Sequence, residues 1–226
     1  MCRNYLYSLA TDKNQGFIAG IIKIPLFVLS LLYCLAVRIL SFLYRIRPCE
    51  LNCKVISVGN ITLGGTGKTP LVEMLALNLK EQGQRVVVLS RGYKRKITGD
   101  EFPVASYESM GDEPYMLSRN LKDLPVIVDK DRLRAARRIV GDHQIDTLIL
   151  DDGFQQWRIK KDLDIVTIDV TNPLGNRHLL PRGTLREPLS SLRRADIFVL
   201  TKVNLKEGNQ DIKNLLKRIN PGALVF

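Results

Sequence analysis

Histidine, cysteine and acidic residues are scarce in this chain of 226 residues, and each shortage narrows the possible functions. Only His143 and His178 are present, isolated from each other, and neither reads as a metal ligand. Of Cys2, Cys34, Cys49 and Cys53, only the last two lie close together, and no further Cys or His pair completes a metal set. The four read as reduced thiols of a cytosolic protein rather than as a disulfide framework. Internal repeats and low-complexity tracts are absent, which leaves one sizeable core, or one core with an appendage. Asp and Glu number 23 against 34 Lys and Arg, a net charge of +11. That imbalance favours an anionic partner, whether nucleic acid, nucleotide or acidic membrane surface, and charge alone does not choose among them. A hydrophobic share of 45% with 25% charged residues excludes disorder as the default.

Long uncharged apolar runs are missing too. The longest within the mostly apolar stretch Phe17 to Ile46 is Ile24 to Val37, 14 residues, where a spanning helix takes about 20. The polar residues in that stretch, Lys23, Ser30, Cys34, Arg38, Ser41 and Arg45, are 7, 4, 4, 3 and 4 apart. At helical spacing they fall within an arc of roughly 80°. Val28, Leu29, Leu32, Ala36, Leu40 and Leu43 cover the rest. Such a helix is expected to lie in or along a bilayer, with its narrow basic stripe toward headgroups or toward the protein. Arg47 and Lys54 add attraction for anionic lipid. A cleaved signal peptide does not fit, because no small-residue cleavage pattern ends the run. The competing expectation is a core helix buried under the domain.

After residue 50, short β-branched runs alternate with helical stretches. Strands are predicted at Lys54 to Val58, Arg85 to Leu89, Val126 to Val128, Thr147 to Leu150, Ile165 to Val170 and Ile197 to Thr201. Helices are predicted at Leu71 to Gln82, Tyr115 to Asn120, Arg132 to Val140 and Gln210 to Ile219. The alternation predicts an α/β fold of the P-loop NTPase-like kind, a mostly parallel sheet with helices on both faces, preceded by the N-terminal membrane helix. Apolar runs this continuous suit strands buried on both sides.

Between the first strand and its helix stands Thr62-Leu63-Gly64-Gly65-Thr66-Gly67-Lys68-Thr69. This is a phosphate-binding loop with Thr62 where the usual pattern begins with glycine. The physics survives the change. Gly64, Gly65 and Gly67 let backbone N–H groups turn toward phosphate oxygens, and the following helix aims its positive end at them. Lys68 can reach the β and γ phosphates, and the Thr69 hydroxyl can ligate Mg²⁺. Pro70 sits in a first turn, where proline is tolerated. The pattern points to a nucleoside triphosphate rather than a dinucleotide. The bland alternative is a glycine-rich turn joining a strand to a helix.

Asp151 and Asp152 follow the apolar strand Leu148-Ile149-Leu150. Carboxylates at the end of a strand beside the phosphate-loop strand are placed to hold Mg²⁺, or else they are solvated strand-end charges. Gly153-Phe154-Gln155 then lets the backbone turn sharply. Asp112 and Glu113, ahead of Pro114, read equally as an ordinary helix start and as a catalytic pair. Arg91, Lys94, Arg95, Arg132, Arg182 and Arg186 stand at strand ends or in loops. Arginines there can clamp phosphates, although any one taken singly reads as a solvated surface charge.

Taken together, several segments resemble tetraacyldisaccharide 4′-kinase, the lipid A kinase of Gram-negative bacteria. They are Val58-Gly59-Asn60-Ile61-Thr62 running into Gly64-Gly65-Thr66-Gly67-Lys68-Thr69-Pro70, then Ser90-Arg91-Gly92-Tyr93, Gly111 to Pro114, Asp151 to Gln155, and Leu179 to Pro188. They occur in the family's order, which also shows the missing first glycine and an N-terminal membrane helix. The resemblance implies transfer of the ATP γ-phosphate to the 4′-hydroxyl of an acylated glucosamine disaccharide 1-phosphate at the cytoplasmic face of the inner membrane. It implies that residues 62–69 bind the nucleotide, with Lys68 and Thr69 on phosphates and Mg²⁺. It makes Asp112 the general base, places Asp151 and Asp152 around metal and phosphates, and gives Glu113, Arg132 and Arg186 substrate-holding roles. The anionic partners implied are nucleotide, substrate and membrane; no nucleic acid and no protein partner is implied.

The expected organisation is a membrane-associated helix over residues 1–47 and a P-loop kinase core over residues 48–226. The family chain continues into a second lobe bearing a histidine that resembles a partner for the base, whereas this sequence stops at Leu224-Val225-Phe226. A truncated chain is therefore expected, and neither histidine takes that role. Two readings of other kinds remain. One is a membrane-associated partitioning-type ATPase switch, whose loops usually carry lysine where Leu63 stands. The other is a nucleotide-binding fragment without turnover.

Overall fold

The computed structural model describes residues 8–14, 16–91, 112–142, 144–206 and 208–226; of residues 112–114 and 142 only the backbone is described. Helix α1 runs Phe17–Ile46, followed by β1 Lys54–Gly59, α2 Lys68–Glu81, β2 Val86–Ser90, α3 Asp112–Asn120 and β3 Val126–Val128. Then come α4 Arg132–Asp142, β4 Thr147–Asp151, β5 Leu163–Asp169, β6 Ile197–Thr201, α5 Gln210–Ile219 and β7 Leu224–Val225. The strands form one sheet in the order β3-β2-β4-β1-β5-β6-β7. The pairs β1 with β4, β2 with β4, β2 with β3 and β6 with β7 are parallel. The α/β expectation holds. Val126 to Val128, Ile197 to Thr201 and Gln210 to Ile219 fall where the sequence placed them, and α3 starts three residues earlier, at Asp112.

By their contacts the described residues form two compact units, each with its own interior. One comprises Arg47–Gly59 and Gly67–Ile165. Here every residue of β2 and β4 is buried, as two-sided coverage of a parallel sheet requires. Val87, Leu89, Leu148 and Leu150 form one core with Leu133, Ala136 and Ile139 of α4. Helix α2 packs on β1, β2 and β4 and buries Val72 and Ala76 outside that core. The register places Val58 of β1 opposite Asp151 of β4, so the acidic strand end adjoins the strand leading into the phosphate loop.

The other unit comprises Met1–Ile46, Asn60–Thr66 and Val166–Phe226. Helix α1 lies in it with Ala19, Ser30, Val37 and Ser41 buried, while Arg38 and Arg45 of its polar stripe stay exposed. The Tyr33 hydroxyl donates to the Arg186 carbonyl at 2.9 Å. Phe27 meets His178 edge to face, with ring centroids 5.9 Å apart. Lys23 and Arg182 both pair with Asp12, at 2.7 and 3.0 Å. Burial pushes the Asp12 carboxyl up, but hydrogen bonds from Lys23, Asn176 and Arg182 and the Arg182 charge hold it far below the usual carboxylate range. The opposite face of α1 is bare, with Phe17 85%, Phe42 68% and Leu32 61% exposed. At 30 residues α1 is long and apolar enough to cross a membrane. The expectation of a core helix buried under the domain is not met among the described residues, since only 17% of its most apolar window is buried.

Close packing makes Gly59 a sensitive point. A Cβ there would stand 2.6 Å from both the Cβ and the backbone nitrogen of Phe154, which is fully buried. Gly59→Ala is therefore expected to destabilise the fold by ~1–3 kcal/mol, the usual scale of core overpacking, measured by denaturant unfolding. An unchanged midpoint would show that the turn at Phe154 yields.

Candidate active site

Residues 62–69 leave the sheet after β1 and enter α2. Gly64 and Gly67 have φ values of 116° and 76°, in the region closed to most side chains. A Cβ on Gly64 or Gly65 would meet nothing within 4 Å. Packing therefore does not demand glycine at these two places; they border open space, as a cradle for a ligand does. Gly67 is the N-cap of α2, no side chain caps that end, and no acidic residue stands in its first turn. A helix start of this kind, with its positive dipole end uncapped by any side chain, suits an anion.

The loop's first half is fixed by its own unit. Leu63 N–H donates to the Thr184 carbonyl at 2.8 Å, and Arg186 N–H donates to the Ile61 carbonyl at 2.7 Å. Thr62 pairs antiparallel with Leu185 in a short bridge. This places the segment around Arg186 along the first half of the phosphate loop. The Asn60 amide caps the Thr62 carbonyl at 2.9 Å, and the hydroxyls of Thr66 and Thr167 share a buried hydrogen bond of 2.7 Å. The Thr201 hydroxyl donates to the Thr66 carbonyl at 3.0 Å, and Lys202 Nζ to the Gly65 carbonyl at 3.2 Å. The bonds from Asn60, Thr201 and Lys202 constrain loop carbonyls.

In the other unit, Lys68 opens α2 nearly buried, with Nζ 3.7 Å from Asp152 Oδ1. Asp151 closes β4 and is 4% exposed; the Ser90 hydroxyl donates to its Oδ2 at 2.7 Å. Asp152 adopts φ 50°, a left-handed conformation that aspartate tolerates better than most residues. Arg132, itself buried, donates from one guanidinium nitrogen to the carbonyls of Asp151 and Asp152 at 2.8 and 2.9 Å. Gly153 N–H returns to the Val58 carbonyl at 3.1 Å. Lys161 Nζ holds the Phe154 carbonyl at 3.0 Å and lies 5.6 Å from the centre of its ring. The acidic turn is thus fixed from three sides.

Thr62 to Thr69, Lys68, Asp151 and Asp152 accordingly stand on two constrained segments. Arg132 braces the acidic turn from below, a role that its position after Asp131 did not disclose. Asp112 and Glu113 begin α3, and their side chains lie outside the described residues, as do Gly92, Tyr93, Lys94, Arg95 and His143. Ser90, Thr167, Lys161 and Lys202 were missed in the sequence. Ser90 had a signal, being a hydroxyl that closes an otherwise apolar strand. The oxygen-only set of Thr69, Asp151 and Asp152, with one carboxylate oriented by Ser90 and the other beside Lys68, has the donor chemistry of a hard divalent cation.

The family model of tetraacyldisaccharide-1-P 4′-kinase matches residues 22–223. The tetraacyldisaccharide 4′-kinase of Halothermothrix orenii is 45% identical over 220 residues, covering 90% of this chain and 57% of the relative. That of Elusimicrobium minutum is 41% identical over 209 residues, covering 86% and 56%. The chain therefore spans a little over half the length of these curated relatives. Among solved structures, LpxK from Aquifex aeolicus in complex with ATP superposes with a TM-score of 0.73 at 37% identity, over 83% of this chain and 61% of that one. The glycine cradle, the acidic turn and the segment along Thr62 are thus set in a backbone shared with a solved kinase of that name, and the chain belongs to the tetraacyldisaccharide-1-P 4′-kinase family.

Proposed function

We propose that these residues form the ATP-binding part of a lipid kinase that moves the γ-phosphate of ATP to the 4′-hydroxyl of an acylated glucosamine disaccharide 1-phosphate. The observation that carries this reading is the glycine cradle of Gly64 and Gly65, open to solvent, running into the uncapped N-terminus of α2 with Lys68 in its first turn. The ATP found with the Aquifex aeolicus relative supports the choice of nucleotide.

Each residue then has a stated task. Backbone N–H groups from Gly65 to Thr69 receive phosphate oxygens, and Lys68 adds an ammonium charge. Thr69, Asp151 and Asp152 are the residues that would hold Mg²⁺, which when bound neutralises charge on the phosphate oxygens. Arg132 and Ser90 keep the two carboxylates in place. Asp112 accepts the proton of the sugar hydroxyl as that oxygen attacks the γ-phosphorus, and ADP leaves. Arg186, on the segment along Thr62, and Glu113 help to hold the substrate. Catalysis is mainly positioning and charge neutralisation.

Residues 1–47 serve as the membrane-associated part and residues 48–226 as the kinase core, at the cytoplasmic face of the inner membrane. Beside α1 a cleft of about 360 Å³ is lined by Arg38, Arg45 and Arg193, next to the buried Glu187–Arg194 pair at 2.9 Å. Those three arginines suit anionic headgroups while the bare face of α1 enters the acyl region.

Two experiments test this. With γ-labelled ATP and acylated disaccharide 1-phosphate, a chain of the relatives' full length is expected to put label into lipid. Lys68→Ala abolishes ATP binding, and Asp112→Ala spares it while cutting turnover by at least about 10². Free phosphate without labelled lipid would point to an ATPase switch, and near-normal turnover of the Asp112 variant would remove it from the mechanism. Replacing Arg38, Arg45 and Arg193 by alanine is expected to weaken sedimentation with phosphatidylglycerol vesicles by about 1 kcal/mol per arginine, and to leave binding to neutral phosphatidylcholine vesicles unchanged. Equal loss on both vesicles would refute the headgroup role.

A further inference from the structure

We propose that Lys161, buried together with Asp164, is a positioning residue for the divalent cation: it holds the turn after β4 in the conformation in which Asp151 and Asp152 serve that ion with Thr69. A turn carrying two adjacent carboxylates does not keep such a shape unaided. Asp152 adopts φ 50°, a left-handed conformation that persists only where the surroundings impose it. Two cationic side chains impose it through backbone carbonyls. Arg132 takes those of Asp151 and Asp152 at the start of the turn. Lys161 Nζ takes that of Phe154, at its end, at 3.0 Å. Release of that end would let Asp152 relax toward an ordinary conformation and carry its carboxylate away from Lys68, whose Nζ now lies 3.7 Å from Oδ1.

The ammonium group is itself placed by the chain that enters and begins β1. Lys160 N–H donates to the Cys49 carbonyl at 2.9 Å, and Asp162 N–H to the Val55 carbonyl at 2.9 Å. Val55 N–H returns a bond to Asp162 Oδ2 at 2.8 Å. Lys161 is thus pinned through both neighbours to the strand that pairs with the acidic one. Asp164 Oδ2 accepts from its Nζ at 3.0 Å, and the Phe154 ring centre lies 5.6 Å away. Phe154 is fully buried, and it packs too close to Gly59 to admit even a methyl group between them.

The side chains of Lys161 and Asp164 are each only 9% exposed. As a source of stability such a pair is poor, because desolvation offsets its attraction and apolar residues of like volume often do as well. What apolar residues could not supply is the directional bond to the Phe154 carbonyl. Groups that stand behind a metal's ligands orient them, and their loss typically weakens metal binding by about 10–100-fold.

This role rests on the Mg²⁺ site proposed above, so the test reads the ion directly. Mn²⁺, which takes the same oxygen ligands, is the probe. Its binding to the chain carrying the β,γ-imido analogue of ATP is followed by the electron paramagnetic resonance signal of the free ion. Lys161→Met combined with Asp164→Asn removes both charges at nearly constant volume, so that neither is left buried alone. This double variant is expected to stay folded and to bind Mn²⁺ about tenfold or more weaker. Lys161→Gln, a milder change that shortens the reach to the carbonyl, is expected to weaken it in the same direction and serves if the double variant does not fold. Lys161→Arg keeps donors for both acceptors and is expected to bind Mn²⁺ as the unmodified chain does. Undiminished Mn²⁺ affinity in a folded double or Lys161→Gln variant would overturn the positioning role, and so would a loss that Lys161→Arg shares. Failure of the unmodified chain to bind Mn²⁺ with the nucleotide present would overturn the metal site itself.

Discussion

The start of α2, which no side chain caps, is the constraint around which this chain is organised. A helix start with neither a capping side chain nor an acid in its first turn is incomplete until an anion meets it. The glycines before it allow the backbone to face that anion, and Lys68 adds a full charge to the partial ones. One hydroxyl and one ammonium group hold Thr66 and Gly65 by their carbonyls, so the loop keeps its shape before any ligand arrives. Such preorganisation is what makes hydrogen-bond donors effective in phosphoryl transfer, because no reorientation has to accompany the reaction.

The acidic turn after β4 obeys a similar logic in a different way. Two carboxylates close to each other repel, and their backbone includes a left-handed aspartate. Arg132 offsets both costs from beneath, by donating to the two carbonyls and by placing a buried positive charge under the pair. The close approach of Gly59 to Phe154 fixes the same turn sterically. One aspartate is consequently directed by Ser90 and the other lies toward Lys68, so that neighbours in sequence have different surroundings.

How much of this was legible beforehand depended on whether a residue announces its role by type and spacing. The phosphate loop did, because three glycines, lysine and threonine in that order have few other uses. The buried strands did as well, since β2 and β4 are covered on both faces and read as unbroken apolar runs. Arg132 did not: its chemistry suits phosphate as well as carbonyls, and only the fold reveals that two carbonyls lie within its reach. The strand predicted at Arg85 to Leu89 runs on to Ser90, which is retained by its burial against Asp151.

Helix α1 inverts the usual arrangement of an amphipathic helix, with hydroxyls and a tyrosine toward its own unit and large apolar side chains outward. Its attachment therefore combines directional polar contacts, such as that of Tyr33, with the burial of Ala19 and Val37. Contacts of that kind strengthen as the local dielectric constant falls. Immersion of the outer face in hydrocarbon would tighten the bond from Tyr33 to the Arg186 carbonyl, whereas transfer to water would loosen it.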